Sequence, residues 1–384
     1  MTRQRQWAGI AALLVAACTQ SLVVDGDGDS EVDNSEVDDG EVDVEIEESF
    51  FDETRVLPLE IEVSPVGWEY VLASNDDGID LGNPDFVHAD VTVGDTRFTD
   101  VALRRKGMTP DELDLKLDFG ELAFGRTVRG VGKLNLHNQA VLLEHAAYGV
   151  WRDAGAPAPR TGWAVVTVND EVLGIYLLVE QVDEHFIADR FPGRESGELY
   201  KVDDGSPLES AVSKRTSGGD DSGFSNLMAV LESGDTERVA QVLDLAAVVR
   251  FLALNRYTRA PLYLDGAYYL YEVQPDRFAP IPWDMDEAWE HAVDALPCPG
   301  DVGGVGLDRV LTDPERFADY LAVLSRLVED PASREDRMAR TARTVETLTG
   351  WVEPKVLADF LDWAETDPSL ITHAALESAA ACAL

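Results

Sequence analysis

The sequence predicts an α+β fold whose strands are mostly antiparallel, and two patterns lead to this prediction. Short runs rich in β-branched and aromatic residues, separated by turn-forming residues, recur between Phe86 and Val202. Beyond Pro314, apolar residues recur instead at helical spacing. The chain has 384 residues, 45% of them hydrophobic, so it can form the core of one large domain or of two smaller ones.

An export signal is predicted at the N-terminus. Two arginines precede an apolar run that ends at Ala17, and Cys18 follows it. Residues 15–18 read VAAC, which resembles the lipobox of bacterial lipoproteins. That resemblance implies that residues 1–17 are removed as a signal peptide and that Cys18 carries a lipid anchor to a membrane. The alternative is plain secretion with an incidental cysteine.

The export signal also predicts a location. Thr19, rather than Asp, follows the cysteine, so the resemblance gives no inner-membrane retention signal. We therefore expect an extracytoplasmic, membrane-anchored lipoprotein, in the outer membrane wherever the cell has one. Export places the two other cysteines, Cys298 and Cys382, in a compartment that permits disulfides, although their pairing does not follow from the sequence.

The segment of residues 18–54 is predicted to be an acidic disordered tether, followed by a folded domain over residues 55–384. The segment is dense in Asp, Glu, Gly and Ser, so it cannot bury enough apolar surface to offset the entropy of ordering. A calcium loop starting at Asp25 is an alternative, but no flanking helices are apparent. The formal net charge of the chain, −42, would repel a polyanion, which excludes nucleic acid as a partner.

The folded domain is predicted to begin with strands and to continue with helices. One strand alternates around Leu134 and Leu136, and a helix follows it to about Ala154. A loop is expected from Asp203 to Gly223. The other predicted strands are Phe86–Val93, Arg97–Arg104, Leu113–Phe119, Gly162–Val168, Val172–Glu180 and Gly197–Val202. The other predicted helices are Gly223–Leu231, Asp235–Val242, Leu245–Tyr257, Pro314–Val328, Ser333–Thr349, Glu353–Glu365 and Pro368–Ala383.

A hairpin late in the chain ends in two acids. The aromatic-rich runs Tyr268–Val273 and Arg277–Trp283 flank a Gln-Pro-Asp turn, a pattern typical of a β-hairpin. Asp284 and Asp286 follow, two residues apart, so on an extended chain their carboxylates lean to the same side. Two converging carboxylates suit Mg²⁺ or Mn²⁺. The alternative is a pair of solvated loop acids.

Several motifs in a fixed order resemble the spore coat protein H (CotH) kinase family. The runs are KLNLHN, RDAGAPAPRTGWAVVTVNDEVLGIYLLVEQVDEHF, ELYK, FLALN, YYLY and RFAPIPWDMDEAW, and they fall between Leu103 and Trp289. The resemblance implies an atypical protein kinase that binds ATP and Mg²⁺ between two lobes. We expect a mostly antiparallel small lobe at about 55–205, a helical large lobe at about 206–384 and extra C-terminal helices.

The resemblance also assigns roles to single residues. It makes Asp284 the metal-binding acid, with Asp286 assisting, and Lys133 a ligand of the α- and β-phosphates. Glu180 and Asp183 match the EQVD motif, where they would orient a lysine or a metal-bound water. Further candidates for nucleotide contacts are Arg104 and Lys106 in a basic, glycine-containing stretch, and Lys116 on the next strand. The alternatives are solvated strand lysines and, for Asp183, a helix N-cap.

One stretch departs from the family pattern. The family carries its catalytic Asp shortly after FLALN, but here Leu262 stands near that position and Ala267 replaces an Asn. Asp265 is the only nearby acid and is therefore the candidate base, although Asp-Gly is also a strong turn signal. The resemblance implies a monomer that phosphorylates Ser or Thr of a surface or secreted protein. The alternatives are a pseudokinase or other non-catalytic surface module, and a glycosyltransferase that uses the two acids to hold Mn²⁺.

Overall fold

The architecture comes from a computed structural model that describes residues 42–47, 49–73, 86–106, 113–203, 207, 212–216, 219–260, 262, 266–290, 296, 306–366 and 369–382. Four predictions concern positions outside these residues: the lipidated Cys18, the calcium loop at Asp25, the base Asp265 and Cys298. None of the helices in the described ranges is long and apolar enough to cross a membrane.

The first part of the domain is a closed barrel of seven strands. The strands of this part are β1 (Val42–Val44), β2 (Val56–Val63), β3 (Val87–Val93), β4 (Thr96–Lys106), β5 (Asp114–Asp118), β6 (Arg126–Val128), β7 (Lys133–His137), β8 (Thr161–Val168) and β9 (Glu171–Glu180). The barrel order is β2-β3-β4-β5-β7-β9-β8, and its pairs are antiparallel except for the parallel pair of β2 and β8 that closes it.

Alternation of side chains explains how the barrel fills its interior. In β2 every second residue is buried, so Leu57, Leu59, Ile61 and Val63 face inward while the intervening positions lie outside. These residues pack with apolar side chains of the other strands in one hydrophobic cluster. The sequence predicted the antiparallel hairpins. It predicted neither strand β2 nor the closure of the barrel.

A second sheet contains the predicted late hairpin. Its strands are β10 (Leu199–Val202), β11 (Val212–Lys214), β12 (Tyr268–Gln274) and β13 (Arg277–Pro282), in the order β11-β10-β12-β13 with antiparallel pairing. Gln274 pairs with Arg277, so the hairpin turn is the two residues between them, and Asp276 takes a left-handed φ of 60°. The loop expected over Asp203–Gly223 needs a correction, because β11 lies within it.

Helices form most of the rest of the described chain, and three of them contact the last strand of the second sheet. They are α1 (Pro65–Ala73) beside the barrel, α2 (Val141–Asp153), α3 (Glu184–Arg190), α4 (Ser222–Ser233), α5 (Thr236–Val242), α6 (Leu245–Thr258), a 3₁₀ helix (Leu307–Thr312), α7 (Pro314–Glu329), α8 (Pro331–Leu348), α9 (Pro354–Glu365) and α10 (His373–Cys382). The starts of α7 and α8 are typical: Asp313 and Asp330 cap them by accepting backbone N–H bonds, and a proline follows each cap. The α+β class is therefore confirmed.

The second hydrophobic cluster includes parts of the chain that precede the second sheet. The helix α2 contributes Trp151, whose ring lies 5.3 Å from that of Phe251 on α6, and Phe251 in turn contacts Tyr268 on β12. The boundary that the sequence predicted near residue 205 does not separate the two clusters. Packing divides them instead, because α2 and α3 lie within the cluster of the second sheet.

The folded part begins before residue 55, where the sequence placed the end of the tether. Strand β1 pairs with β6, and Ile46 and Phe50 are 5% and 2% exposed. The carboxylate of Glu53 accepts hydrogen bonds from Arg152 on α2 and from Arg340 on α8. The acidic segment is thus part of the fold from Val42, because β1 is paired and Ile46 and Phe50 are buried.

Candidate functional site

A cavity of about 920 Å³ is lined by side chains of the barrel, the second sheet and the residues that follow β13. Strands β4, β5 and β7 contribute a row of lysines, and the two acids after β13 line the same cavity. The residues of the sequence prediction that line the cavity are Arg104, Lys106, Lys116, Lys133, Asp183, Asp284 and Asp286. A cavity of this size holds a small-molecule ligand.

Strand pairing explains why these cations meet. Arg104 on β4 is the register partner of Lys116 on β5, and Lys116 is in turn the partner of Asn135 on β7. Lys106 follows Arg104 by two positions, so it projects from the same face of β4. The ε-amino group of Lys106 donates to Oδ1 of Asn135 at 3.3 Å. The barrel therefore presents basic side chains of adjacent strands on one face.

Lys106 is held between the barrel and the acids. Its Nζ lies 5.0 Å from the centre of the Trp283 ring, at the end of the hairpin that carries Asp284. Burial lowers the pKa of Lys106, and the charges of Asp284 and Asp114 oppose that shift. The aromatic ring and the amide of Asn135 fix the amino group, so it is positioned to interact with an anion.

Among the lysines Lys106, Lys116 and Lys133, Lys116 has a pKa far below the ordinary lysine value. Burial, together with the charges of Lys106, Arg104 and Lys133, lowers its pKa to about 7. Its Nζ donates to Oε1 of Gln181 at 2.8 Å. An anion bound beside these cations would relieve their mutual repulsion, which makes the basic wall a suitable site for phosphates.

Lys133 differs from the other two lysines because acids surround it. Its Nζ lies 3.8 Å from a carboxylate oxygen of Asp118. Burial lowers the pKa of Lys133, but the charges of Asp118, Glu184 and Asp183 outweigh burial and the net pKa is raised. Lys133 is therefore fully protonated and already partly neutralised before any ligand binds.

Asp284 and Asp286 form a concentrated negative charge. Asp284 has a φ of 62°, a left-handed conformation that is uncommon for a residue with a side chain. Burial and the charges of Asp284 and Glu144 raise the pKa of Asp286 well above its ordinary value. A cation bound between the carboxylates would remove this repulsion. The left-handed backbone of Asp284 is a local strain of the kind that is often found at functional positions.

The donor set fits Mg²⁺ or Mn²⁺ better than a metal that needs many protein ligands. In the described residues no group of three or more His, Cys, Asp or Glu is arranged to hold a metal ion. Asp284 and Asp286 contribute two carboxylates to the cavity lining. Mg²⁺ in nucleotide sites commonly takes one or two carboxylates and completes its octahedron with phosphate oxygens and water.

Comparison with known proteins decides the family. A family model described as CotH kinase protein matches residues 112–357. The chain belongs to the CotH kinase protein family. The chain is also 23% identical over 266 residues to inner spore coat protein H of Bacillus subtilis (strain 168), a match that covers 61% of this chain and 68% of that protein.

The family match covers part of the domain that the sequence predicted over residues 55–384. Helices α7 and α8 lie within residues 112–357, whereas α10 lies beyond them. Lys116, Lys133, Asp284 and Asp286 also lie within the matched residues. Arg104 and Lys106 precede them, although the barrel pairs β4 directly with β5.

Glu180 is the predicted site residue that the structure does not bring to the cavity. It is 4% exposed, and its carboxylate accepts bonds from the guanidinium groups of Arg160 and Arg190 and from the backbone N–H of Arg160 at 2.9 Å. These contacts connect the end of β9 to the connector before β8 and to α3. Glu180 in this CotH domain therefore occupies a structural ion-pair network.

Asp183 combines a cavity position with a capping position. Its Oδ1 accepts the backbone N–H groups of His185 and Phe186, so it caps α3 as the alternative interpretation stated. Burial and the charge of Glu184 raise its pKa to about 6. Its capping bonds fix the carboxylate at the wall of the cavity.

Sequence reasoning missed several polar residues of the cavity. Gln181 lies in the EQVD motif, and it connects Lys116 to the hydroxyl of Tyr269 on β12. His137 ends β7, lines the cavity and pairs with Glu144 on α2. The signal for both was present, because Gln181 and His137 lie inside the quoted motifs EQVD and KLNLHN.

The stretch that departs from the family pattern is described only in part. Asp265 lies outside the described residues. Leu262 is fully buried, and Ala267, 5% exposed, lines the cavity with no polar group in its side chain.

Proposed function

We propose that this CotH-family protein is a protein kinase that transfers the terminal phosphate of ATP to a Ser or Thr hydroxyl. The observation that supports it best is the shared cavity, which is lined by the cations of Arg104, Lys106 and Lys116 and by Asp284 and Asp286. Phosphoryl transfer asks the protein mainly for positioning and for neutralisation of negative charge. Basic side chains and two acids in one cavity provide both.

The side chains divide the work between phosphate and metal. Asp284 and Asp286 would hold Mg²⁺ or Mn²⁺, which supplies positive charge to the triphosphate. Lys106 and Lys116 contact phosphate oxygens from the barrel side, and Arg104 extends the same row. Lys133, close to Asp118, contributes at the acidic end of the row. Trp283 and Gln181 hold two of these lysines in place before the nucleotide arrives.

The two parts of the fold act as two lobes in this proposal. The barrel contributes the basic row as the small lobe, and the cluster of the second sheet and helices contributes the acids as the large lobe. ATP then binds between them, as in protein kinases. Support comes from the cavity lining, which combines residues of β4, β5 and β7 with Tyr269 and Asp284.

The acceptor and its location extend the proposal. Asp265 is the proposed base that takes the proton of the acceptor hydroxyl, because it is the acid nearest in sequence to the position where the family carries one. The acceptor is a surface or secreted protein. The monomeric chain is anchored to the membrane through a lipid on Cys18, on the extracytoplasmic side, and in the outer membrane of a cell that has one.

A pseudokinase is the second candidate, and one observation favours it. The cavity lacks a polar side chain at Ala267, and the nearby Leu262 is buried in the apolar cluster. A protein with this site would bind ATP and metal but would transfer phosphate slowly, because proton abstraction by a positioned base contributes about 10²–10⁴-fold to catalysis.

Phosphate transfer from radiolabelled ATP separates these functions. The purified chain is incubated with Mg²⁺ or Mn²⁺ and with casein as acceptor, and label is counted on both proteins. The kinase predicts label that disappears in Asp284→Ala. Thermal stabilisation by ATP without label indicates the pseudokinase, whereas turnover of a nucleotide sugar indicates a glycosyltransferase. Asp276→Ala is the matched control, because Asp276 is an acid with a left-handed φ at the opposite end of the same hairpin.

A further inference from the structure

A buried imidazole at the cavity has one nitrogen bonded and the other without a partner. His137 is 4% exposed and lines the cavity together with Asp284 and Asp286. Its Nδ1 lies 2.9 Å and 3.0 Å from the two carboxylate oxygens of Glu144, which is fully buried on α2. Its Nε2 is buried and has no hydrogen-bond partner among the described residues. A buried polar atom in this position is expected to bind a group that the described residues do not supply.

The surroundings of the ring make that nitrogen a donor. Burial and the charge of Lys106 lower the pKa of His137. Glu144 and Asp114 outweigh them, so the net pKa is raised to about 9. The imidazole is then protonated on both nitrogens at neutral pH, so Nδ1–H donates to Glu144 and Nε2–H is available. Asp286 on the loop after β13 is also affected by this charge.

We propose that His137 is a further phosphate-binding residue, whose Nε2–H donates to an oxygen of the terminal phosphates of the nucleotide. Glu144 is a positioning residue that fixes the orientation of the ring. This inference rests on the proposed function, because it needs a triphosphate in the cavity. It adds a fixed cation from the carboxyl end of β7 to the lysines of β4 and β5.

The location of His137 favours a phosphate as its partner. The ring lines the same cavity as Lys106, whose positive charge repels that of the ring. It also shares the cavity with the two acids that would hold the cation. A phosphate oxygen that bridges to the metal would lie between these acids and the cations of the barrel. An anion there compensates Lys106 and His137 together, whereas the carboxylate of Asp286 is needed for the metal.

A second buried histidine provides an internal control. His145 on α2 is 1% exposed, and its Nε2 likewise has no hydrogen-bond partner among the described residues. Its Nδ1 pairs with the hydroxyl of Thr161, and the ring lies 4.8 Å from that of Trp163. His145 is not part of the cavity lining. A ligand effect on His137 should therefore leave His145 unchanged.

Nuclear magnetic resonance of the imidazole nitrogens tests the contact directly. The chain contains 6 histidines, so ¹⁵N-histidine labelling gives few signals, and His137→Gln and His145→Gln assign the two buried rings. Addition of Mg²⁺ with the non-hydrolysable analogue AMP-PNP should shift the Nε2 resonance of His137 and slow the exchange of its proton. Mg²⁺ alone should produce neither change, and the His145 signals should stay in place.

Binding of truncated ligands provides the second measurement. His137→Gln should weaken AMP-PNP binding by about 10- to 100-fold, the effect of a hydrogen bond to a charged group. Adenosine binding should not change, because adenosine has no phosphate. Glu144→Gln should shift the His137 resonances before any ligand is added, and His145→Gln should bind AMP-PNP like the unmodified chain.

The outcomes separate this inference from the function on which it rests. If AMP-PNP fails to bind the unmodified chain, both are overturned. If AMP-PNP binds but the Nε2 resonance of His137 is unmoved, or moves with Mg²⁺ alone, His137 is no phosphate ligand and the kinase proposal stands. Equal weakening of AMP-PNP and adenosine binding in His137→Gln would likewise overturn it, because that result indicates a structural role.

Discussion

Two charged groups that line the cavity have pKa values shifted toward their neutral forms. Burial raises the pKa of Asp286 and lowers the pKa of Lys116. Both shifts show that the folded chain disfavours the charged form of the group. The bound nucleotide and its cation would supply the missing partners, so the residues that serve binding should weaken the fold when the site is empty.

Asp284→Asn should abolish activity with little change in stability. Asparagine tolerates the left-handed φ of 62° as well as aspartate does. The substitution removes the charge that raises the pKa of Asp286, but it also removes the charge that favours protonated Lys106. Because these two effects oppose each other, we expect the free energy of unfolding, measured in urea without metal, to change by less than about 1 kcal/mol. Metal-dependent labelling should fall by about 100-fold or more.

The control for this prediction is Asp276→Asn. Asp276 shares the left-handed conformation but lies at the hairpin turn, where its side chain does not line the cavity. Asp276→Asn should leave both the free energy of unfolding and the metal-dependent labelling unchanged. Unchanged labelling in Asp284→Asn would contradict the metal assignment.

Lys116→Met should show a stability gain that depends on pH. The pKa of Lys116 is about 7 in the folded protein, against an ordinary lysine value of 10.5, so the folded state binds fewer protons between these values. The resulting destabilisation is absent above about pH 10.5, grows as the pH falls and is complete below about pH 7. The gain of the variant over the unmodified chain should follow the same course, measured by urea unfolding from pH 6.5 to 9.5.

Lys133→Met serves as the opposite case. The pKa of Lys133 is raised by acids, so its charge stabilises the fold at neutral pH and the variant should lose stability there. Both variants should weaken ATP binding. Lys116→Met that is destabilised at pH 7 would show that its lysine is compensated in the empty protein.

The contacts at the end of β9 show which predicted residues reach the cavity. Glu180 is the last residue of β9 and Gln181 follows the strand, and these two neighbours in the EQVD motif have different contacts. Gln181 contacts Lys116 in the cavity, whereas Glu180 contacts Arg160 and Arg190. At the scale of the element, Glu180 holds the end of β9 and the start of α3 in place.

Glu180→Gln should therefore destabilise the fold and leave nucleotide affinity nearly unchanged. The substitution removes the charge that two arginines share, and we expect a loss of roughly 2–3 kcal/mol in unfolding free energy. Thermal unfolding and calorimetric ATP binding below the melting temperature measure the two effects. Glu171→Gln at the exposed start of the same strand is the control. A selective loss of ATP affinity without a stability change would restore Glu180 as a nucleotide ligand.

The whole molecule depends on the acidic segment that precedes the barrel. A Cβ at Gly162 would collide with the carbonyl of Phe50, so the segment lies directly against β8. Glu53 joins α2 to α8 through Arg152 and Arg340. The segment thus connects the barrel to helices of the other hydrophobic cluster, so its described part belongs to the fold.

Truncation tests whether residues 42–54 belong to the fold. A chain that starts at residue 42 should unfold at the same temperature as the chain that starts at residue 19. A chain that starts at residue 55 loses the burial of Ile46 and Phe50, which costs roughly 3–6 kcal/mol, and the ion pairs of Glu53 as well. Circular dichroism during heating measures both. Equal stability of the two truncated chains would support the original boundary near residue 54.

Local pattern in the sequence determined the α+β class, most strands and helices, the late hairpin and the pair Asp284 and Asp286, because alternation, helical spacing and turn residues act over a few positions. Ordered motifs also identified the family. Only the tertiary structure decided the closure of the barrel, in which β2 pairs with β8 from more than one hundred positions away. The tertiary structure also decided that Gln181 contacts Lys116 in the cavity whereas Glu180 contacts Arg160 and Arg190, because these partners are distant in the sequence or on other elements.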